Sequence, residues 1–177
     1  MSLACHDLRT PLATVYGFAR TLTRDAQLDE RSRRFVGMIE QASEQMTQLL
    51  DELGTAARIE AARWEPSLRS VDTLELATSE HDRVEAHGAG ETIETDADAV
   101  GHGLESLALA ALRHGPAERV TWDVRGRQLA LAPVQPTAGP VVTGDEPRDL
   151  GSLVARMVIE ELGGSLTLEG DTLLVSL

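Results

Sequence analysis

The chain has 177 residues, 16 basic against 29 acidic side chains, a net charge of −13 and only 3% aromatic residues. So acidic a balance excludes a nucleic-acid partner, which needs a basic stripe, and no apolar run reaches the ~18 residues of a membrane-crossing helix. With so few aromatics the core must be built from Leu, Val, Ile, Ala and Met, which suits helix bundles and small sandwiches.

Every basic residue is Arg. No signal peptide is visible. The single cysteine, Cys5, cannot form an internal disulfide, which fits a reducing, cytoplasmic setting.

From Leu3 to about Thr23 the apolar residues Leu8, Leu12, Val15, Phe18, Ala19 and Leu22 follow helical spacing and share about one third of the circumference. Arg24 to Asp29 is a polar break, and Asp29 is placed to cap a second helix. That helix is expected from Glu30 to about Ala62, with Phe35, Met38, Ile39, Ala42, Met46, Leu49, Leu50, Leu53 and Ala57 as its stripe. Two helices joined by a short loop form an antiparallel hairpin. One hairpin cannot bury both stripes, whereas two can, so the pattern predicts a homodimer with a four-helix bundle. The alternative is packing of the stripes on the second half of the chain. The carboxylates around Glu40, Glu44 and Asp51 read as the solvated face of the second helix.

His6 lies off the apolar stripe, with Thr10, Ala13 and Gly17 continuing its face. Small side chains there leave room for another protein to approach. Asp7 is placed to accept from the imidazole and raise the nucleophilicity of its other nitrogen. Pro11 removes one N–H and clashes with the carbonyl of Asp7, so a kink is expected there. Spacing alone favours a solvated surface histidine beside a surface aspartate.

Pro66 marks a domain boundary, giving domains over 1–65 and 66–177. The stretch from Ser67 to Gly90 is mixed, with a strand suggested over Arg83 to His87. Asp96 opens a helix to about Arg113. Val120–Val124 and Gln128–Ala132 read as a hairpin around Arg125-Gly126-Arg127. Asp149 to Leu162 reads as a helix stopped by Gly163-Gly164, and Ser165–Leu168 with Thr172–Leu177 as a last hairpin. His81, His87, His102 and His114 show no metal-binding spacing and read as surface or helix-end residues.

His6-Asp7-Leu8-Arg9-Thr10-Pro11-Leu12 resembles the H-box of sensor histidine kinases, and Gly17-Phe18 resembles the positions after it. The resemblance implies that His6 accepts a phosphoryl group, that Asp7 is its acid/base partner and that Thr10 orients water in phosphatase reactions. It also implies a dimeric four-helix bundle, and a helix that begins further upstream than residue 1. The order of elements in the second half is similar to the ATP-binding domain of the same kinases. The expected fold class is therefore α+β, a helical hairpin forming the dimeric bundle followed by a degenerate kinase-type α/β sandwich.

Four departures from the family pattern carry a functional expectation. The N-box positions that hold Mg²⁺ and phosphates in the family match Ser106 and Ala110, and alanine cannot coordinate a hard cation. Ala130 to Pro136 has no acid where the adenine-binding aspartate should stand. The phosphate-cradling Gly-x-Gly is reduced to Asp149-Leu150-Gly151, with a carboxylate that would repel a triphosphate. Thr137 to Arg148 is too short for a full ATP lid. The expected function is phosphoryl exchange between His6 and response-regulator receiver domains without ATP-dependent autophosphorylation. No cofactor or metal is expected in this chain, and Mg²⁺ is expected on the receiver. Two other classes remain open, a sensor kinase with divergent nucleotide contacts and a non-catalytic dimeric regulatory module.

Overall fold

A computed structural model describes residues 2–24 and 28–177, with side chains from Leu8 onward. The chain divides into two compact units, Met1–Ala62 and Arg63–Leu177. No helix among the described residues is long and apolar enough to cross a membrane.

The first unit is a helical hairpin of α1 (Ser2–Thr23) and α2 (Glu30–Glu60). Helix α1 continues through Pro11, whose missing N–H leaves the carbonyl of Asp7 without its usual partner. Helix α2 starts where Asp29 accepts from the Ser32 N–H at 2.8 Å, as the sequence predicts. A second bond from the Ser32 hydroxyl adds to this, and together they hold the Asp29 carboxyl below its ordinary pKa.

The single apolar stripe read on α1 is two adjacent seams in the structure. Arg9, Leu12, Tyr16, Ala19 and Thr23 follow the three-then-four spacing of a helix pair, and Leu12 and Ala19 are buried against α2. One residue back, Leu8, Pro11, Val15, Phe18 and Leu22 repeat the same spacing but are exposed, Phe18 by 68%. Helix α2 is built the same way. Val36, Glu40, Ser43, Thr47, Leu50 and Gly54 form its half-buried or buried seam, while Phe35, Ile39, Ala42, Met46, Leu49 and Leu53 are exposed. The inner seam of each helix is thus largely polar, and most of the large apolar side chains lie on the outer one.

In the second unit, β1 (Leu68–Asp72) and β3 (Thr92–Asp96) form an antiparallel ribbon, and between them in the chain lie α3 (Thr73–Ala77) and β2 (Val84–Gly90). Helix α4 (Ala97–His114) comes next, then β4 (Val120–Gly126), β5 (Gln128–Ala132), α5 (Gly139–Val142), α6 (Leu150–Glu161), β6 (Ser165–Glu169) and β7 (Thr172–Ser176). The main sheet has the order β2-β4-β5-β7-β6. Only β2 and β4 run parallel, and β3 with α4 makes the crossover between them. Alternation decides which face is inside: Val120, Trp122, Val124, Leu129, Leu131, Leu173 and Val175 are buried together with the apolar faces of α4 and α6. Thr73 ties ribbon to sheet, donating its hydroxyl to the Gly126 carbonyl at 2.6 Å and accepting from the Glu91 N–H at 3.0 Å.

The stretch hardest to read in sequence is this ribbon and β2. Gly88 in β2 has φ of 121°, and a Cβ there would lie 2.1 Å from the Val124 carbonyl oxygen, so only glycine lets β2 pair with β4. The same glycine stops the strand signal at His87, so the strand read over Arg83 to His87 is found as β2 but runs on to Gly90. The overall fold is α+β, a helical hairpin followed by a two-layer α/β unit.

Candidate functional site

His6 and Asp7 lie in the first half of α1, and their side chains fall outside the described residues. Thr10 is described and exposed, and its carbonyl accepts from the Thr14 hydroxyl at 3.2 Å. Ala13 and Gly17 are exposed too, and a Cβ at Gly17 would meet open space. Nothing among the described residues therefore demands glycine at that position.

The three carboxylates read as a solvated face are partners of α1. Asp51 accepts from the Arg9 guanidinium, Glu44 from the Tyr16 hydroxyl at 2.9 Å, and Glu40 from the Thr23 hydroxyl at 3.0 Å. Sequence reasoning missed these clasps because it treated acids on α2 in isolation. The signal was the seven-residue spacing of Arg9, Tyr16 and Thr23, three polar residues along the helix-pairing seam. The bond to Glu44 raises the Tyr16 phenol above its ordinary pKa, since ionising it would set two negative charges together.

In the second unit, Asp96 caps α4 by accepting from the Ala99 N–H at 3.1 Å and also accepts from the Ser67 N–H at 2.9 Å. The two positions matched to metal and phosphate ligands lie on the inner side of α4, Ser106 at 2% exposure and Ala110 at 0%. Helix α6 packs directly on this side, with α4 so close that a Cβ at Gly103 would sit 3.3 Å from both Cα and Cβ of Ala155. The first half of the segment matched to the lid is part of the core. Ala138, Val141 and Val142 are buried, α5 packs on both α4 and α6, and the Ser152 hydroxyl donates to the Val141 carbonyl at 2.9 Å.

Asp149 stands at the start of α6, where the family pattern would have glycine. Its carboxylate accepts from the Ser152 N–H at 3.1 Å and so caps the helix. It also lies 3.2 Å from Arg113 Nη1 and 3.3 Å from His114 Nε2, both in the last turn of α4. The Asp149 side chain is 3% exposed. A buried carboxylate thus takes the helix-start amide and the two basic side chains that could otherwise have gathered round an anion. His114, read from sequence as a surface or helix-end residue, is one jaw of this clamp.

Residues 1–62 match the family model of the His Kinase A phospho-acceptor domain. Sensor histidine kinase YcbM of Bacillus subtilis is 20% identical over 93% of this chain and 64% of its own length. Circadian input-output histidine kinase CikA of Synechococcus elongatus is 35% identical over 41% of this chain and 10% of its own. The chain therefore spans less than two thirds of these relatives. Among solved structures, full-length ShkA in complex with AMPPNP superposes with a TM-score of 0.66 at 23% identity, covering 98% of this chain and 43% of that one. Acinetobacter baumannii histidine kinase AdeS superposes at 0.53 and 16% identity, covering 96% and 94%. Residues 1–62 thus match a His Kinase A phospho-acceptor domain, and the helical hairpin followed by an α/β unit is the fold that this chain shares with these histidine kinase structures.

Proposed function

We propose that this chain is a two-component relay protein, which takes a phosphoryl group onto His6 from one receiver domain and gives it to another without charging itself from ATP. The observation that carries the reading is the state of the second unit where the resemblance puts the nucleotide. Ala110 has no oxygen for a metal, and the Ser106 hydroxyl is sealed between helices. The α5 segment fills the space, and the Asp149 carboxylate already pairs with Arg113 and contacts His114. These residues do not fit a nucleotide with its metal ion.

The H-box, in contrast, is complete from His6 to Leu12. In the relay, an imidazole nitrogen of His6 attacks the phosphorus in line and the donor oxygen leaves with the bonding pair. Asp7 stabilises the imidazolium as it forms, and Thr10 orients water where the phosphoryl group is hydrolysed instead. The receiver brings Mg²⁺ and most of the charge stabilisation, so the chain supplies chiefly geometry. Two hairpins join through their outer seams into a four-helix bundle, covering Leu8, Val15, Phe18, Phe35, Ile39, Met46 and Leu49. The partners are a second copy and receiver domains, in the cytoplasm.

The test is incubation with receiver domains charged by a small phosphodonor. Label passing to the wild-type chain and not to His6→Ala supports the relay. Label that stays on charged receivers points to a regulatory module that carries no phosphate. A second reading is favoured by the matched relatives themselves, two of which are named histidine kinases. Nucleotide binding by calorimetry, with autophosphorylation lost in His6→Ala, would establish a kinase and overturn the relay.

A further inference from the structure

The inner seam of the hairpin is unusual in what it lacks. Among the described residues of α1, Leu12 and Ala19 give it its buried apolar side chains, and on α2 its best buried residue is Ser43. Burial is non-directional, so Leu12 and Ala19 against the half-buried Val36 and Leu50 bring two helices together without fixing their axial setting. The directional contacts are the three clasps, Arg9 to Asp51, Tyr16 to Glu44 and Thr23 to Glu40. Polar residues on such a seam cost stability and select one register.

We propose that Arg9, Tyr16 and Thr23 form a register ladder that sets α1 against α2 and thereby positions His6 for phosphoryl exchange, an inference that rests on the relay reading. The three donors stand seven residues apart on one edge of a continuous helix that also carries His6, three residues before Arg9. Turning α1 by one residue swings its side chains by about 100°, and sliding it one turn moves them about 5.4 Å. Either change breaks all three clasps together, so the ladder is all-or-none. Tyr16, Glu44 and Asp51 are then positioning residues, acting on the reaction through the helix that bears His6. Misplacement by about 1 Å can cost about a hundredfold in rate, so a weakly packed seam needs such a lock.

The experiment uses the full chain with Tyr16→Phe and Asp51→Asn singly and together, and Asp51→Glu as the variant that keeps the carboxylate. Two phosphodonors are compared. Receiver domains charged with acetyl phosphate must dock. Phosphoramidate need not: an imidazole nitrogen bonds to its phosphorus as the phosphorus–nitrogen bond breaks and ammonia leaves. The ladder predicts that the double variant loses about tenfold or more in receiver-to-His6 rate, that Asp51→Glu retains most of it, and that phosphoramidate labelling is unchanged. An unchanged receiver rate in the double variant overturns the ladder, as does a parallel fall with phosphoramidate. If no receiver labels even the wild-type chain, the relay reading fails by itself. The ladder is then judged by thermal melts of Tyr16→Phe, Glu44→Ala and the pair. Non-additive shifts support it and additive ones overturn it.

Discussion

Replacing Asp149 with alanine removes a helix cap and the centre of a charge cluster in one step, and the two losses can be separated. The cap, accepted from the Ser152 N–H at 3.1 Å, is worth about 1 kcal/mol by comparison with other N-caps. The clamp to Arg113 and His114 adds less than a fully buried ion pair, because Arg113 is 57% exposed. A pair with one partner so screened contributes about 1 kcal/mol. Asp149→Ala therefore costs about 2 kcal/mol, which in a unit of this size lowers the melting temperature by about 8 °C. Asparagine caps helices as well as aspartate does, so Asp149→Asn loses only the charge part and falls by about 4 °C. Scanning calorimetry on the full chain, following the transition of the second unit, measures both. A drop below about 2 °C for alanine, or equal drops for the two variants, refutes this division between cap and clamp.

The outer seams of the hairpin predict that Phe18→Asp with Ile39→Asp converts the chain to monomer by light scattering, with loss of helicity, since the largely polar inner seam cannot hold the hairpin alone. At the α4–α6 contact, a Cβ on Gly103 already sits 3.3 Å from Ala155, so Gly103→Val overpacks the interface and costs about 1–3 kcal/mol in denaturant unfolding. Acid weakens the hairpin through Asp29. Its folded pKa is lowered by the two bonds from Ser32, so the stability it adds is full above the ordinary carboxylate value and is lost as pH falls through the lower folded value. Helicity of the first unit, followed by circular dichroism through that acid range, falls in wild type as this contribution is lost, whereas Asp29→Ala starts less helical and lacks that part of the fall.

Strong local signals carried most of the fold. Asp29, Asp96 and Asp149 each precede a helix and each caps it, and the hairpins on either side of Gly126 and Gly170 pair as their alternation implies. The ribbon of β1 and β3 escaped because its strands are five residues long, and β1 buries only Val71. On α1, periodicity placed the apolar residues correctly yet could not divide them. Leu12 and Ala19 turn inward while Leu8, Val15, Phe18 and Leu22 turn outward, a difference of one residue in phase that only the partner helix resolves. At the site, Ala110 and Ser106 could be matched in sequence, but their sealing by α5 and α6 could not. Nor could the pairing of Asp149 with Arg113 and His114, which joins residues 35 and 36 positions apart through the packing of two helices.

The central claim, that His6 receives its phosphoryl group from a partner and not from ATP, is tested most directly by one labelling comparison. The full chain and His6→Ala are incubated with labelled ATP and Mg²⁺, and separately with receiver domains already carrying label. The account predicts label on the wild-type chain from a receiver, none from ATP and none on His6→Ala from either. Label that reaches His6 from ATP contradicts it.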